Sequence, residues 1–177
     1  MRMINVRFHG RGGQGVVTSA EVLAISCDLE GKFAQALPSF GPERTGAPVI
    51  SYCRINEKPI KVYQQIYHPD YVVVLDESLL KVIDVLAGLK KGGHLIINSK
   101  DKYFKCADGV VHFVDAYSIS MKIIGKPFVN MAMLGAFAKV SNIVSLSSLK
   151  KAMIKRFGEE IGEKNFEAAE ECYNVVE

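Results

Sequence analysis

Between Phe8 and Val17 the chain reads FHGRGGQGVV, with Gly10, Gly12, Gly13 and Gly15 crowded into six positions. Ile4, Val6 and Phe8 before it alternate with polar residues as in a strand, whereas Val16, Val17, Ala20, Leu23, Ala24 and Cys27 after it recur at helical spacing. A glycine-rich turn that leaves a strand and opens a helix is the first piece of an α/β fold. It presents unpaired backbone N–H groups at the positive end of the helix dipole with no Cβ atoms in the way, which suits an anion, most often a phosphate. A tight turn that needs glycines only for packing is the competing reading. Gln14 favours the anion, since an amide beside such a turn orients a ligand and packing alone does not call for one.

The remaining pattern continues the α/β theme. KFAQAL (32–37) reads as a second strand and is followed by PSFGPERTGAP (38–48), whose prolines and glycines exclude regular structure. VISYCRI, the turn NEKP and IKVY read as an antiparallel hairpin. YVVVLD (71–76) is a continuous apolar run of the kind found in a strand covered on both faces, and ESLLKVIDVLAGL after it reads as a helix. HLIIN and GVVHFV add two strands and YSISMKIIG a short helix. PFVNMAMLGAFAKV forms a helix with Phe128, Met131, Leu134, Phe137 and Ala138 on its apolar face, and its methionines are core rather than a cofactor box. Ser147 or Ser148 is placed to cap LKKAMIKRFG, and EKNFEAAEECYNVV closes the chain as an amphipathic helix. The pattern predicts one α/β domain over residues 1–177, a three-layer Rossmann-like arrangement with a mixed, mainly parallel sheet between helices.

Composition narrows the function classes. The 22 basic and 19 acidic residues are spread along the 177-residue chain, so the net charge of +3 is neither the block nor the stripe that nucleic acid would require. No apolar run approaches the ~20 residues that span a bilayer, and a cytoplasmic protein is expected. The four cysteines, Cys27, Cys53, Cys106 and Cys172, form no C-x-x-C pair, so neither a metal site nor an iron–sulfur cluster is expected on this chain.

Gly10, Gly12 and Gly15 satisfy the dinucleotide fingerprint G-x-G-x-x-G, but its second half fails. The second strand runs out into Leu37, Pro38 and Ser39 without the acid that would hold a ribose, and Glu30 falls at the end of the first helix. Val16 and Val17 stand where a P-loop carries Lys-Ser/Thr, so ATP hydrolysis is not supported.

Four segments, HGRGGQGVVTSAEVLA, FGPERTGAPV, HPDYVVVLDESLL and NMAMLGA followed by RFG, occur here in the order found in the gamma subunits of 2-oxoacid:ferredoxin oxidoreductases. The chain resembles that family from about residue 4 to residue 160, and most closely its pyruvate-oxidising members, with the 2-oxoisovalerate and 2-oxoglutarate enzymes as close relatives. The resemblance implies a multisubunit complex of alpha, beta, gamma and delta subunits that cleaves a 2-oxoacid with thiamine diphosphate and magnesium. Electrons pass through iron–sulfur clusters to ferredoxin, and the acyl group passes to coenzyme A. This chain lacks both the thiamine-diphosphate motif and a cysteine run, so those cofactors are expected on partner subunits and no catalytic residue is assigned here. Coenzyme A is the family ligand suited to the glycine turn, with Gly10, Gly12, Gly13, Gln14 and Gly15 as candidate contacts. Arg44 is the natural second anchor, either as a bidentate phosphate ligand or as a contact to a partner subunit, with a salt bridge to Glu43 as its alternative. Ser39 and Thr45 add hydroxyl donors or stabilise the turn. A subunit that only seals its neighbour's thiamine pocket is the alternative function.

Overall fold

The computed structural model describes residues 3–38 and 45–177. Six strands form one sheet: β1 (Ile4–Arg11), β2 (Phe33–Pro38), β3 (Pro48–Asn56), β4 (Tyr71–Val74), β5 (His94–Asn98) and β6 (Val110–Val114). Their order is β2-β3-β1-β4-β5-β6. β3 runs antiparallel to both of its neighbours, and β1, β4, β5 and β6 are parallel. Among the described residues the α-helices are α1 (Val16–Leu29), α2 (Ala116–Ile123), α3 (Val129–Ser141), α4 (Leu146–Phe157) and α5 (Glu159–Val175). The α/β class and the mixed, mainly parallel sheet are as the sequence leads one to expect.

Strand alternation divides the sheet into two unlike faces. Val6, Phe8, Cys53, Ile55, Val73 and Ile96 point into the larger core, which they share with residues of the α-helices α1 to α5. α3 is the innermost of these helices, with every residue from Met131 to Ala138 buried. That depth requires Gly135, because a Cβ there would lie 1.7 Å from the backbone oxygen of Ala169 on α5. The opposite face has a smaller core of Val72, Val74, Leu79, Val85, Leu95 and Ile97. Among the described residues it is covered by a 3₁₀-helix at Glu77–Lys81 and by irregular chain.

On this second face β1 and β3 bury Arg7, His9, Tyr52 and Arg54. Both guanidinium groups bind main-chain carbonyls. Arg7 donates to Val85 at 2.9 Å and Ala87 at 2.8 Å, and Arg54 to Gln64, to Gln65 at 3.2 Å and to Val62 at 3.4 Å. Burial, assisted by the charge of Arg7, pushes the His9 imidazole down to about 3, so it is neutral at physiological pH.

These contacts explain two departures from the sequence reading. IKVY forms no strand, because β3 is already paired by β2 on one side and by β1 on the other, which leaves no free edge for a hairpin partner. The chain there crosses the sheet as a strap fastened by Arg54. ESLLKVIDVLAGL is not one helix but the short 3₁₀ turn followed by bends. Arg7 draws the carbonyls of Val85 and Ala87 away from helical bonding, and the Asp84 carboxylate accepts the Leu86 N–H at 3.0 Å. Two smaller corrections concern helix ends. Ser145, rather than Ser147 or Ser148, caps α4 by accepting the Ser148 N–H at 3.2 Å. Phe128 lies before the first turn of α3 and is 49% exposed, so it is not part of that helix's core face.

The four cysteines are free thiols, and burial, as the largest effect, pushes Cys27 and Cys172 up to about 12. No group of three or more His, Cys, Asp or Glu residues able to hold a metal occurs among the described residues. Among them, too, no helix is long and apolar enough to cross a membrane.

Glu30 serves the fold. Its carboxylate accepts the Ser145 N–H at 2.7 Å, the Ser148 hydroxyl and the Lys32 ammonium at 2.7 Å, joining the end of α1 to the start of α4. Burial alone would raise its pKa, but these donors outweigh it and hold the carboxyl at about 2, against an ordinary 4.5. A depressed carboxylate stabilises the fold above the unfolded value and loses that contribution as pH falls through the folded one. Glu30→Gln is therefore expected to destabilise the chain at pH 7, and the gap from wild type should close in urea titrations between pH 4.5 and pH 2. Gly135→Ala should cost about 1–3 kcal/mol or more through overpacking of α3 against α5, read as a lowered midpoint in the same titration.

Candidate functional site

The turn after β1 uses its glycines for three different purposes. Gly15 precedes α1 in a left-handed conformation, φ 71°, with no side-chain cap on the helix. A Cβ on Gly15 would lie 2.3 Å from Nδ2 of Asn130, the amide that approaches the Gly15 carbonyl at 3.4 Å from α3. Gly10 packs under the turn, where a Cβ would lie 2.6 Å from Val16. Gly12 joins the turn to the neighbouring loop: its N–H donates to the Ala47 carbonyl at 2.8 Å and its own carbonyl accepts the Gly46 N–H at 3.1 Å. Gly13, at φ +94°, has nothing within 4 Å of where its Cβ would be. Its bare backbone faces open space.

Asp76, just beyond β4, holds this turn in place. Its Oδ2 accepts the Arg11 Nε–H at 3.1 Å and the Gln14 Nε2–H at 3.1 Å, and its Oδ1 accepts the Ser78 N–H at 3.0 Å. Gln14 returns its Oε1 to the Arg11 N–H at 2.7 Å, and Arg11 Nη1 donates to the Gly46 carbonyl at 2.9 Å. Burial would raise the Asp76 pKa, but the donors from Ser78 and Gln14 and the charge of Arg11 outweigh it, and the carboxyl sits below its ordinary value. Asp76 is therefore an ionised anchor rather than a proton donor at neutral pH.

Above this knot opens a cleft of about 520 Å³, lined by Gly13, Gln14, Asp76, Asn98, Tyr117 and Phe128 among others. It lies beyond the C-terminal ends of β1, β4, β5 and β6, beside the point where the sheet changes from parallel to antiparallel pairing. Open α/β sheets bind ligands at such a position. Its carboxylates are already engaged. Asp76 is bound as described, Glu77 accepts from the Ser99 hydroxyl, and Asp115 caps α2 through the Ser118 N–H at 3.0 Å. Lys100, also on the lining, is exposed and has no partner among the described residues. Donors left for a ligand include this ammonium and the uncapped start of α1.

Of the residues singled out in the sequence, Gly13 and Gln14 line the cleft. Gly10, Gly12 and Gly15 support the turn, and Thr45 is exposed in the loop that Gly12 and Arg11 fasten. Ser39 and Arg44 lie outside the described residues. Sequence reading missed Arg11, Asp76, Asn98 and Asp115. The signal was available, because the buried runs VVVLD, HLIIN and VVHFVD each end in a polar residue, and the ends of parallel strands are where a site gathers.

Residues 5–175 match the family model described as pyruvate ferredoxin/flavodoxin oxidoreductase. The chain belongs to this family. It is 50% identical, over 99% of its length and 97% of the relative's, to pyruvate synthase subunit PorC of Methanothermobacter thermautotrophicus. It is 51% identical to the gamma subunit common to the pyruvate and ketoisovalerate oxidoreductases of Thermococcus kodakarensis, covering 97% of this chain and 96% of that one. The crystal structure of pyruvate oxidoreductase subunit PORC from Thermotoga maritima superposes with a TM-score of 0.87 at 32% identity, covering 100% of this chain and 98% of that one. The family resemblance drawn from the glycine turn and the later motifs is thereby established.

The Asp76 knot is testable as a coupled unit. Arg11→Ala and Asp76→Ala are each expected to lower stability, and a double-mutant cycle in urea should return a coupling energy of about 0.5–3 kcal/mol, as for side chains in one network. Additive effects would mean that the two groups do not act together.

Proposed function

We propose that this chain is the gamma subunit of a 2-oxoacid:ferredoxin oxidoreductase, with pyruvate as the 2-oxoacid. We further propose that it serves the acyl-acceptor side of the reaction by binding coenzyme A. The observation that carries the family part is the end-to-end match to PorC at 50% identity. The complex converts a 2-oxoacid and coenzyme A to acyl-coenzyme A and carbon dioxide and delivers two electrons to ferredoxin. Thiamine diphosphate, magnesium and the iron–sulfur clusters belong in this reading to the alpha, beta and delta partners, and the gamma chain by itself is inactive.

The coenzyme A assignment rests on the cleft. A diphosphate needs donors and room for its oxygens, and Gly13, the start of α1 and Lys100 offer both, while the neighbouring carboxylates are already taken by protein donors. Arg44 and the hydroxyls of Ser39 and Thr45 are proposed to add to this from the loop. The Thermococcus relative is named as common to pyruvate and ketoisovalerate enzymes. A subunit shared between two 2-oxoacids suits the step that both reactions have in common, the transfer to coenzyme A. The second reading, a subunit that only seals the thiamine site of its partner, draws on Gly10, Gly12 and Gly15, which serve packing and loop pairing.

The two readings separate in the assembled complex. Gly13→Ala, which adds a Cβ at positive φ facing the cleft, is expected to raise the Michaelis constant for coenzyme A severalfold while decarboxylation without coenzyme A, followed with an artificial electron acceptor, keeps its rate. A uniform decline of every step together with a lower melting point would instead assign the glycine to the turn.

A further inference from the structure

Two exposed aromatic residues line the same cleft, Tyr117 at 54% and Phe128 at 49%. Exposed apolar residues scattered singly need no explanation. These two differ because both line one cavity and both have main chains fixed by polar contacts. The Tyr117 N–H donates to Asn98 Oδ1 at 3.2 Å, and Asn98 Nδ2 donates in turn to the Leu75 carbonyl at 2.9 Å, fastening the start of α2 to the ends of β4 and β5. The Phe128 carbonyl accepts the Ser120 hydroxyl at 3.2 Å, fastening the entry of α3 to α2. Half-exposed rings carried on a fixed main chain offer surface to a flat apolar partner. Charge accompanies them. Lys126 Nζ lies over the Phe128 ring, 5.7 Å from its centre, and Lys100 lines the cleft with the two aromatic residues.

We propose that Tyr117 and Phe128 form the stacking platform for the adenine ring of coenzyme A, with Lys126 placed beside it for the phosphate on the ribose. This inference rests on the coenzyme A reading of the cleft and adds the recognition of one end of that ligand. A planar base, a ribose phosphate and a diphosphate would then follow the cleft from its aromatic residues to Gly13. Its volume of about 520 Å³ falls within the range usual for small-molecule sites, about 300–1,000 Å³.

The test compares two thiol acceptors in the assembled complex, coenzyme A and pantetheine, which carries the thiol but neither the adenosine nor the phosphates. Stacking on an aromatic ring is worth about 1–3 kcal/mol per base, so Phe128→Leu and Tyr117→Leu should each raise the Michaelis constant for coenzyme A about tenfold. The constant for pantetheine and the turnover number at saturation should stay unchanged, and Phe128→Tyr, which retains a ring, should behave as wild type. Equal rises for both acceptors would overturn the platform, since the rings would then shape the cleft without reading the base. Lys100→Glu separates the two levels of the argument. If it weakens coenzyme A while the ring variants do not, the platform is wrong and the coenzyme A reading stands. If neither Lys100→Glu nor the ring variants change the constant for coenzyme A, both are wrong.

Discussion

The Asp76 carboxylate is the point on which the upper end of the molecule depends. β1 and β4 are adjacent parallel strands whose chains leave the sheet in different directions, one into the glycine turn and the other into a 3₁₀-helix. Arg11, Gln14 and Ser78 converge on this one group, and through Arg11 the same contact extends to the Gly46 loop. An ionised acid surrounded by donors fixes the spacing of the two exits and with it the width of the cleft between them. The glycines make the turn possible, and the carboxylate makes it stay.

The two sheet faces solve the same burial problem by different means. The α-helices cover one face with hydrocarbon, and α3 approaches α5 closely enough that Gly135 has no room for a methyl group. The other face is covered by chain with little regular structure, whose carbonyls would go unsatisfied without donors from below. Arg7 and Arg54 supply those donors from inside the sheet. A planar guanidinium can serve several carbonyls at once, which a lysine ammonium at the same depth could not match in geometry.

This difference also sets what could be read from the sequence. The strands and helices of the hydrocarbon face have clear periodicity, and the glycine turn and the family motifs were visible directly. The strap at IKVY and the bends after Lys81 were not, because their conformation is decided by two arginines more than seven residues away in sequence and by a sheet order that leaves β3 no open edge. At the site, Gly13 and Gln14 were legible as part of a glycine turn, and both line the cleft, although the Gln14 amide is taken up by Arg11 and Asp76. Asp76, Asn98 and Tyr117 gain meaning only when parallel pairing brings the ends of β1, β4, β5 and β6 side by side.

The position of β1 has a consequence for how the chain is made. It precedes the other described strands in the chain, yet its partners are distant in sequence, β3 on one side, with Ile55 opposite Ile4, and β4 on the other, with Tyr71 opposite Val6. A strand with one apolar face must therefore leave the ribosome and wait, with both edges bare, until β3 and β4 have followed it. Long-range pairing of this kind slows folding and leaves strand edges open to the wrong neighbours. α1 is the one element that can meet β1 early, and the glycine turn between them is short enough to fold the helix back over Val6 and Phe8 before the rest of the sheet exists.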